Sequence, residues 1–436
     1  MKRGCGAAWA VALLAIAPVA HAAAALESIA TQTAQAAQTA KLSGALVVTG
    51  PLTTDSPAPR GEELAERVAQ LVAGAIGGPT RAHPQTATLA QARVLASKGG
   101  RLVYLQPSIA RGEMRLTMDA YAVTSNGWER VRDPAPPPMA HTFAHAPIDA
   151  EVRAYLASIP LEHASVHHAR HDEGDVLAVA CGDLDGDGGM ELVLASRTRA
   201  AVGRIVGGRF APARTVDWSA LAPRAPVPLR EPLVGASVVA DGDLARLLLG
   251  STDRGGVALD AALTRTGSLR GIPVPFARDA CVVPNALTEA FEGDVTACAS
   301  DGAPLVRFAA PALRYDAFAA FDLVRPDGSV RSATAAREPT GKLDLRLADA
   351  SLSLDGFGAQ LALADLDQDG VLEVIGTAAE GEDALTVVSW DGASPPRPRL
   401  NLPAPAGVRA LGTCPPEDGG APAIVAVVED EVWVVR

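Results

Sequence analysis

Two rhythms of apolar and polar positions divide this chain. In the first, stretches long enough for helices alternate with single strands. Leu26 to Lys41 (LESIATQTAQAAQTAK) is rich in Ala and Gln with few breakers, which predicts a helix. Gly44 to Val48 is a short apolar strand, and Pro51 to Arg60 is a Pro/Thr/Ser loop. Gly61-Glu62-Glu63 opens a second helix with Leu64, Val68, Leu71, Val72 and Ala75 on one face, ended by Gly77-Gly78. Its acidic first turn suits the positive end of the helix dipole. Thr88 to Lys98 reads as a third helix and Leu102 to Leu105 as a strand. Met114 to Val123 alternates apolar with polar, the mark of a half-buried strand. Arg132 to Pro138 (RDPAPPP) is a stiff excursion, and Ala146 to Leu156 predicts a last short helix. Residues 23–158 are therefore expected to form a small α/β domain.

Residues 159–174 read as a linker. They hold His163, His167, His168 and His171. A zinc site needs three or four converging ligands. Nothing in the local pattern predicts a helix that would converge them, so a solvated linker is expected.

The second rhythm starts at Asp175: short apolar runs, tight turns and no helical period. It repeats. Two copies are strong. Asp175 to Ser196 reads DVLAVACGDLDGDGGMELVLAS, and Ala359 to Gly376 reads AQLALADLDQDGVLEVIG. Each is a strand, an acidic loop and a strand. Degenerate copies lie at Val234 to Gly250, Val295 to Phe308 and Val408 to Val428, at spacings of about 50 to 70 residues. Weaker strands fall between them at Val202 to Val206, Gly256 to Leu259 and Leu385 to Trp390. A strong strand pair with one or two weaker strands is the content of a four-stranded propeller blade. The fold expected is mainly β: residues 175–436 as a β-propeller of five to seven four-stranded blades, preceded by the small α/β domain. A terminal strand at Val432 to Arg436 would complete an earlier blade and protect the sheet edges.

Composition changes this picture little. Aromatics are only 4% of residues, while Gly (41) and Pro (33) are plentiful, which favours turns over long helices. The formal net charge of -12 argues against nucleic acid or an anionic membrane surface as partner, since both want a basic face. At the N-terminus, Lys2 and Arg3 precede the apolar Trp9 to Val19 and the small-residue pattern Ala20-His21-Ala22. Residues 1–22 thus read as a signal peptide, and no later stretch reads as a membrane span. An exported protein, periplasmic or extracellular, is expected. Export permits disulfides. Cys281 and Cys298 are close enough to bridge neighbouring strands. Cys181 and Cys414 lie just upstream of corresponding loops and read as small buried residues.

The acidic loops carry the candidate chemistry. Asp183, Asp185, Asp187 and Glu191 fall at loop positions 1, 3, 5 and 9, with the Gly189 carbonyl at position 7. Asp365, Asp367, Asp369, the Val371 carbonyl and Glu373 match them in order. Calcium takes six to eight hard oxygens, and alternating carboxylates in a tight loop can wrap one side of such an ion. The flanking strands exclude an EF-hand. Gly356-Phe357-Gly358-Ala359 followed by Leu363 to Gly370 resembles the FG-GAP repeat of integrin α-subunit propellers and the related bacterial VCBS-type repeats. Asp183 to Glu191 resembles the same loop. The resemblance implies calcium at both loops, holding each blade's strands together. The copies at Asp241-Gly242-Asp243 and Glu417-Asp418-Gly419 lack the full ligand set, so no ion is expected there.

The sequence holds no G-x-S-x-G elbow, HExxH, P-loop or GxGxxG before a helix. The expectation is a non-catalytic binding or scaffold protein whose calcium-stabilised propeller presents loops to a protein or glycan partner. Two alternatives stay open. A hydrolase or lyase acting on envelope polysaccharide would need free carboxylate, His or Tyr groups converging on the propeller axis. A periplasmic envelope-assembly component would dock through the α/β domain, a plan similar to that of TolB.

Overall fold

The computed structural model describes residues 25–54, 57–124, 126, 128, 137–224, 232–241, 244–274, 280–285, 290–292, 295–298, 314–416 and 421–436. The leader-like residues 1–22, most of RDPAPPP, the Gly242-Asp243 and Glu417 to Gly419 turns and the span from 299 to 308 lie outside them.

The small domain is one mixed sheet with helices on both faces. Its strands lie side by side as Arg81–Ala82, Leu46–Thr49, Arg101–Ala110, Glu113–Ala122 and Ala140–Pro147. Leu46–Thr49 runs parallel to Arg101–Ala110, and the last three strands are antiparallel. The alternation in Glu113–Ala122 sends Met114, Leu116, Met118 and Ala120 to one face. There they meet Leu26 and Ile29 of helix Ala25–Thr39 and Leu64, Val68 and Val72 of helix Gly61–Ile76. Tyr104, Tyr121 and Leu102 turn to the other face and pack on Ala92 of helix Leu89–Leu95. Thr88 starts that helix with a reciprocal capping box to Gln91.

Two expectations here are corrected. The second helix buries Leu64, Ala65, Val68, Ala69, Val72, Ala73 and Ile76, and Ala75 faces solvent. The helix expected over Ala146 to Leu156 shrinks to Ala150–Arg153, capped by Asp149. Its N-terminal part belongs to strand Ala140–Pro147, paired along Glu113–Ala122. The strand's own alternation explains this: Ala144 and Ala146 go inward while His141, Phe143 and His145 stay exposed.

Among the described residues, the rest forms a β-propeller of six blades. The first is Val176–Gly182, Glu191–Ser196, Arg199–Val206 and Arg209–Asp217. The second is Val234–Asp241, Leu244–Ser251, Gly255–Leu259 and Arg265–Leu269. Two three-stranded sheets between Ile272 and Tyr315 stand in the third position. The fourth runs from Ala317 to Leu354 and the fifth from Phe357 to Pro403, each with four strands. The sixth combines Val408–Cys414, Ala423–Val428 and Glu431–Val435 with Val166–Arg170. The fourth blade carries no acidic loop. Its first hairpin turns at Arg325 to Ser329, with Arg325 N–H donating to the Ser329 carbonyl at 2.8 Å.

Closure of the ring departs from the sequence reading. The stretch expected as a linker supplies strand Val166–Arg170, which pairs antiparallel with Glu431–Val435 and becomes the outermost strand of the last blade. The terminal strand is the third of its own blade and does not complete an earlier one. With His167 and His168 both exposed and only Ala169 buried, the strand shows no apolar alternation that would reveal it. A disulfide joins Cys181 to Cys414 because the inner strands of the first and last blades lie side by side. The pair is therefore a covalent tie rather than two small buried residues. Cys281 and Cys298 form the second disulfide, packed on Val239 and Leu248 of the second blade.

Candidate metal centre

Both acidic loops join the first and second strands of their blades, so both open on the same face of the propeller. In each, the glutamate at position 9 is the anchor. Glu191 and Glu373 are buried, and each accepts the amide of position 2: Leu184 N–H to Glu191 Oε2 and Leu366 N–H to Glu373 Oε2, both at 2.8 Å. A longer side chain than Asp is needed to reach back across the loop. The left-handed turns also correspond. Gly188 (φ 85°) matches Gly370 (φ 79°), and Gly186 (φ 75°) matches Gln368 (φ 57°). A side chain at Gln368 is strained by roughly 1 kcal/mol in that conformation. It is held there by Arg153 of the small domain, whose Nη2 donates to Gln368 Oε1 at 2.7 Å.

Three arginines stand beside the fifth-blade loop: Arg399 on Asp367, Arg153 on Gln368 and Arg325 on the Gly370 carbonyl. Oxygens of Asp365, Asp367 and Glu373 lie within 4.8 Å of one another. Some of their hydrogen bonds are made. Gly370 N–H donates to Asp365 Oδ2, Ser389 Oγ to Glu373 Oε1 and Arg399 Nη2 to Asp367 Oδ2. Two oxygens remain buried with no partner, Asp365 Oδ1 and Asp367 Oδ1. Asp367 is only 4% exposed and Glu373 is 0%. Burial, reinforced by the charges of Asp369 and Asp367, pushes the Asp365 carboxyl up to about 8. Burial raises Asp367 and Glu373 as well. Unpaired buried oxygens on crowded carboxylates are what a bound cation removes. Asp365, Asp367 and Glu373 therefore fit a hard cation such as calcium. Asp369 is exposed, and its Oδ1 takes the Val371 amide at 2.8 Å, so it sits at the edge of this cluster.

The first-blade loop differs although its ligand order is the same. Asp183, Asp185 and Glu191 also gather oxygens within 4.8 Å. Arg204, on the third strand, reaches among them. Its Nε donates to Glu191 Oε1 at 2.7 Å and its Nη2 to Asp187 Oδ1 at 2.6 Å. The same Nη2 also bonds Glu191 Oε1, lies 3.4 Å from the Gly189 carbonyl and 3.7 Å from Asp185 Oδ1. Arg214 Nη2 takes the other Asp185 oxygen at 3.3 Å. Asp183 is satisfied by the Gly186 and Gly188 amides. The Arg204 hydrogen bond, with the Gly189 amide, holds Asp187 below the usual carboxylate range. Arg204, Arg214, Arg399 and Ser389 were not singled out in sequence. The signal was available: once the strands are paired, the residue beside position 9 on the third strand is readable.

The histidines do not assemble. His167 and His168 are neighbours on one strand and so point to opposite faces. His168 Nδ1 meets Glu431 at 3.0 Å, and its ring lies edge-on to Trp433. His171 is buried, taking the Glu173 amide on Nδ1 and reaching the Glu429 carbonyl with Nε2. Among the described residues, the acidic loops are the two groups of metal-competent side chains.

Two cavities lie on the axis. One of about 330 Å³ is lined by the first halves of the inner strands, with Asp316, Gln360 and Arg409 among apolar groups. The other, of about 700 Å³, lies at the loop face. Asp365 and Gln368 line it with Arg246 and Asp322, and Asp149 and Ala150 of the small domain close over it. Among the described residues no helix is long and apolar enough to cross a membrane.

No family model matches the chain, and no curated protein matches it in sequence. Solved structures share the propeller shape distantly. AofleA from Arthrobotrys oligospora is 12% identical with a TM-score of 0.38, over 63% of this chain and 88% of its own. A glucose dehydrogenase is 14% identical with a TM-score of 0.38, over 62% and 99%. TolB from Acinetobacter baumannii is 9% identical with a TM-score of 0.29, over 90% and 94%. Likenesses this weak carry no argument about function.

Proposed function

We propose that this is an exported, non-catalytic binding scaffold whose six-bladed propeller presents its loop face to a protein or glycan partner, with FG-GAP-like loops and calcium fixing that face. The observation that carries the reading is the pair of unpartnered buried oxygens, Asp365 Oδ1 and Asp367 Oδ1, beside the buried Glu373. Asp365, Asp367 and Glu373 would hold the ion. Bound calcium would neutralise the crowded carboxylates and tie the first two strands of the fifth blade together. The two disulfides suit an oxidising compartment. The test is thermal melting of the full mature chain in calcium and in chelator. Calcium is expected to raise the midpoint by RT ln(1 + [L]/Kd) in free-energy terms, about 2.7 kcal/mol at a hundredfold excess over Kd. The Asp365→Asn, Asp367→Asn double variant should lose that response. Equal midpoints with and without calcium would sink the reading.

A further inference from the structure

The two loops share one ligand order, yet the third strands beside them differ at the position that faces the loop's glutamate. In the fifth blade Glu373 is paired across the sheet with Ser389. In the first, Leu192 is paired with Gly203, which sets Arg204 beside Glu191 in the place of Ser389. A serine hydroxyl brings no charge of its own to the glutamate, and Arg399 beside it pairs with one oxygen of Asp367. A guanidinium brings a permanent positive charge and several donors in a rigid fork.

We propose that Arg204 is a built-in cation: its guanidinium takes the ion's place in the Asp183–Glu191 loop, so the first blade is closed without metal. The positions implied as calcium ligands by the FG-GAP likeness are Asp183, Asp185, Asp187, the Gly189 carbonyl and Glu191. Nη2 alone faces the last four of these, at hydrogen-bonding distance or just beyond. An ion at their centre would have to expel it. Gly189 fits this arrangement, since a Cβ there would fall 2.9 Å from the Arg204 Cζ. Arg204 keeps part of its side chain in water, at 42% exposure, so burying it in the loop costs little. The loops also differ in their leftovers. Among the carboxylates of the two loops, the buried oxygens without a partner are Asp365 Oδ1 and Asp367 Oδ1, both in the fifth blade. Calcium fits one loop and not the other. Resting on the calcium reading of the fifth blade, the chain takes one ion where its two loops suggest two.

The test is calcium titration of the full mature chain by calorimetry, with terbium luminescence as a second readout. Wild type should bind one ion, lose it in Asp365→Asn, Asp367→Asn and keep it in Asp183→Asn, Asp187→Asn. Arg204→Ser, which copies the fifth blade, should raise the stoichiometry from one to two. Arg204→Gln, closer in size, guards against a folding failure of Arg204→Ser, and circular dichroism checks both. Two ions in wild type, or a loss caused by Asp183→Asn, Asp187→Asn, would overturn the inference. If wild type binds none, the calcium reading of the fifth blade fails by itself. The inference then stands or falls on whether folded Arg204→Ser or Arg204→Gln gains a site.

Discussion

Asp365 and Arg204 show how one loop sequence takes two characters. In the fifth blade burial, with nearby acids, raises the Asp365 carboxyl to about 8 from an ordinary 3.8. A carboxyl raised on folding binds its proton more tightly in the folded state than in the unfolded one. The metal-free fold should therefore lose stability as pH climbs from about 4 to about 8. Asp365→Asn removes that loss. It is expected to stabilise the metal-free chain by roughly 1–3 kcal/mol at pH 8 and to do little at pH 4. In the presence of calcium it should destabilise instead. Denaturant midpoints at the two pH values, each with calcium and with chelator, check the crossing. A variant that is less stable than wild type in chelator at pH 8 would refute it. The acidic residues of both loops were legible in sequence because their spacing is local. The arginine was not. Arg204 lies 13 residues beyond Glu191, and only strand register brings the two together.

Elements were legible where hydrophobic period and turn chemistry agreed. The first and fifth blades show this, with apolar runs on both sides of an acidic turn. The fourth blade was missed because its first strands are rich in Ala, as in Ala317–Val324 and Val330–Arg337, and its turn is an ordinary Pro-Asp-Gly. Val166–Arg170 was missed for a different reason. Its polar residues face water and its partner strand is more than 260 positions away, as the pairing of Ala169 with Val432 records. Hydrogen bonds at Ser165–Arg436 and at His171 N–H to the Asp430 carbonyl fix the ladder's phase. Alternate residues bond, so Ala169 N–H belongs to the ladder. Ala169→Pro removes that donor and should cost about 3 kcal/mol or more. Urea unfolding of the full chain measures it. A loss below 1 kcal/mol would mean that the closing strand contributes little to the ring.

At the scale of the molecule, the first and last blades are joined through the Val166–Arg170 strand and the Cys181–Cys414 disulfide, with the Arg409–Asp175 ion pair beside them. The two cysteines are separated by 233 residues. The Cys281–Cys298 bridge spans only 17. On the chain-entropy view the longer loop stabilises more, by roughly 5 kcal/mol against roughly 3. Replacing both Cys181 and Cys414 by Ser should therefore lower the melting midpoint more than the same change at Cys281 and Cys298. The reverse order would show that local packing in the third blade, and not closure of the ring, sets the response.

The closing strand has a consequence for how the chain comes to be folded. Val166–Arg170 emerges directly after the small domain, but its partner Glu431–Val435 is synthesised some 260 residues later. The small domain can settle early, since its contacts are local to residues 25–156. The ring cannot. Its ends meet only across a loop of some hundreds of residues, a closure whose entropy must be overcome before contacts reward it. A chain delivered N-terminus first thus carries this strand with its Glu431–Val435 side unpaired until those residues emerge. For that interval the edge can recruit another chain. Such a molecule depends on whatever keeps nascent chains apart until Glu431–Val435 arrives.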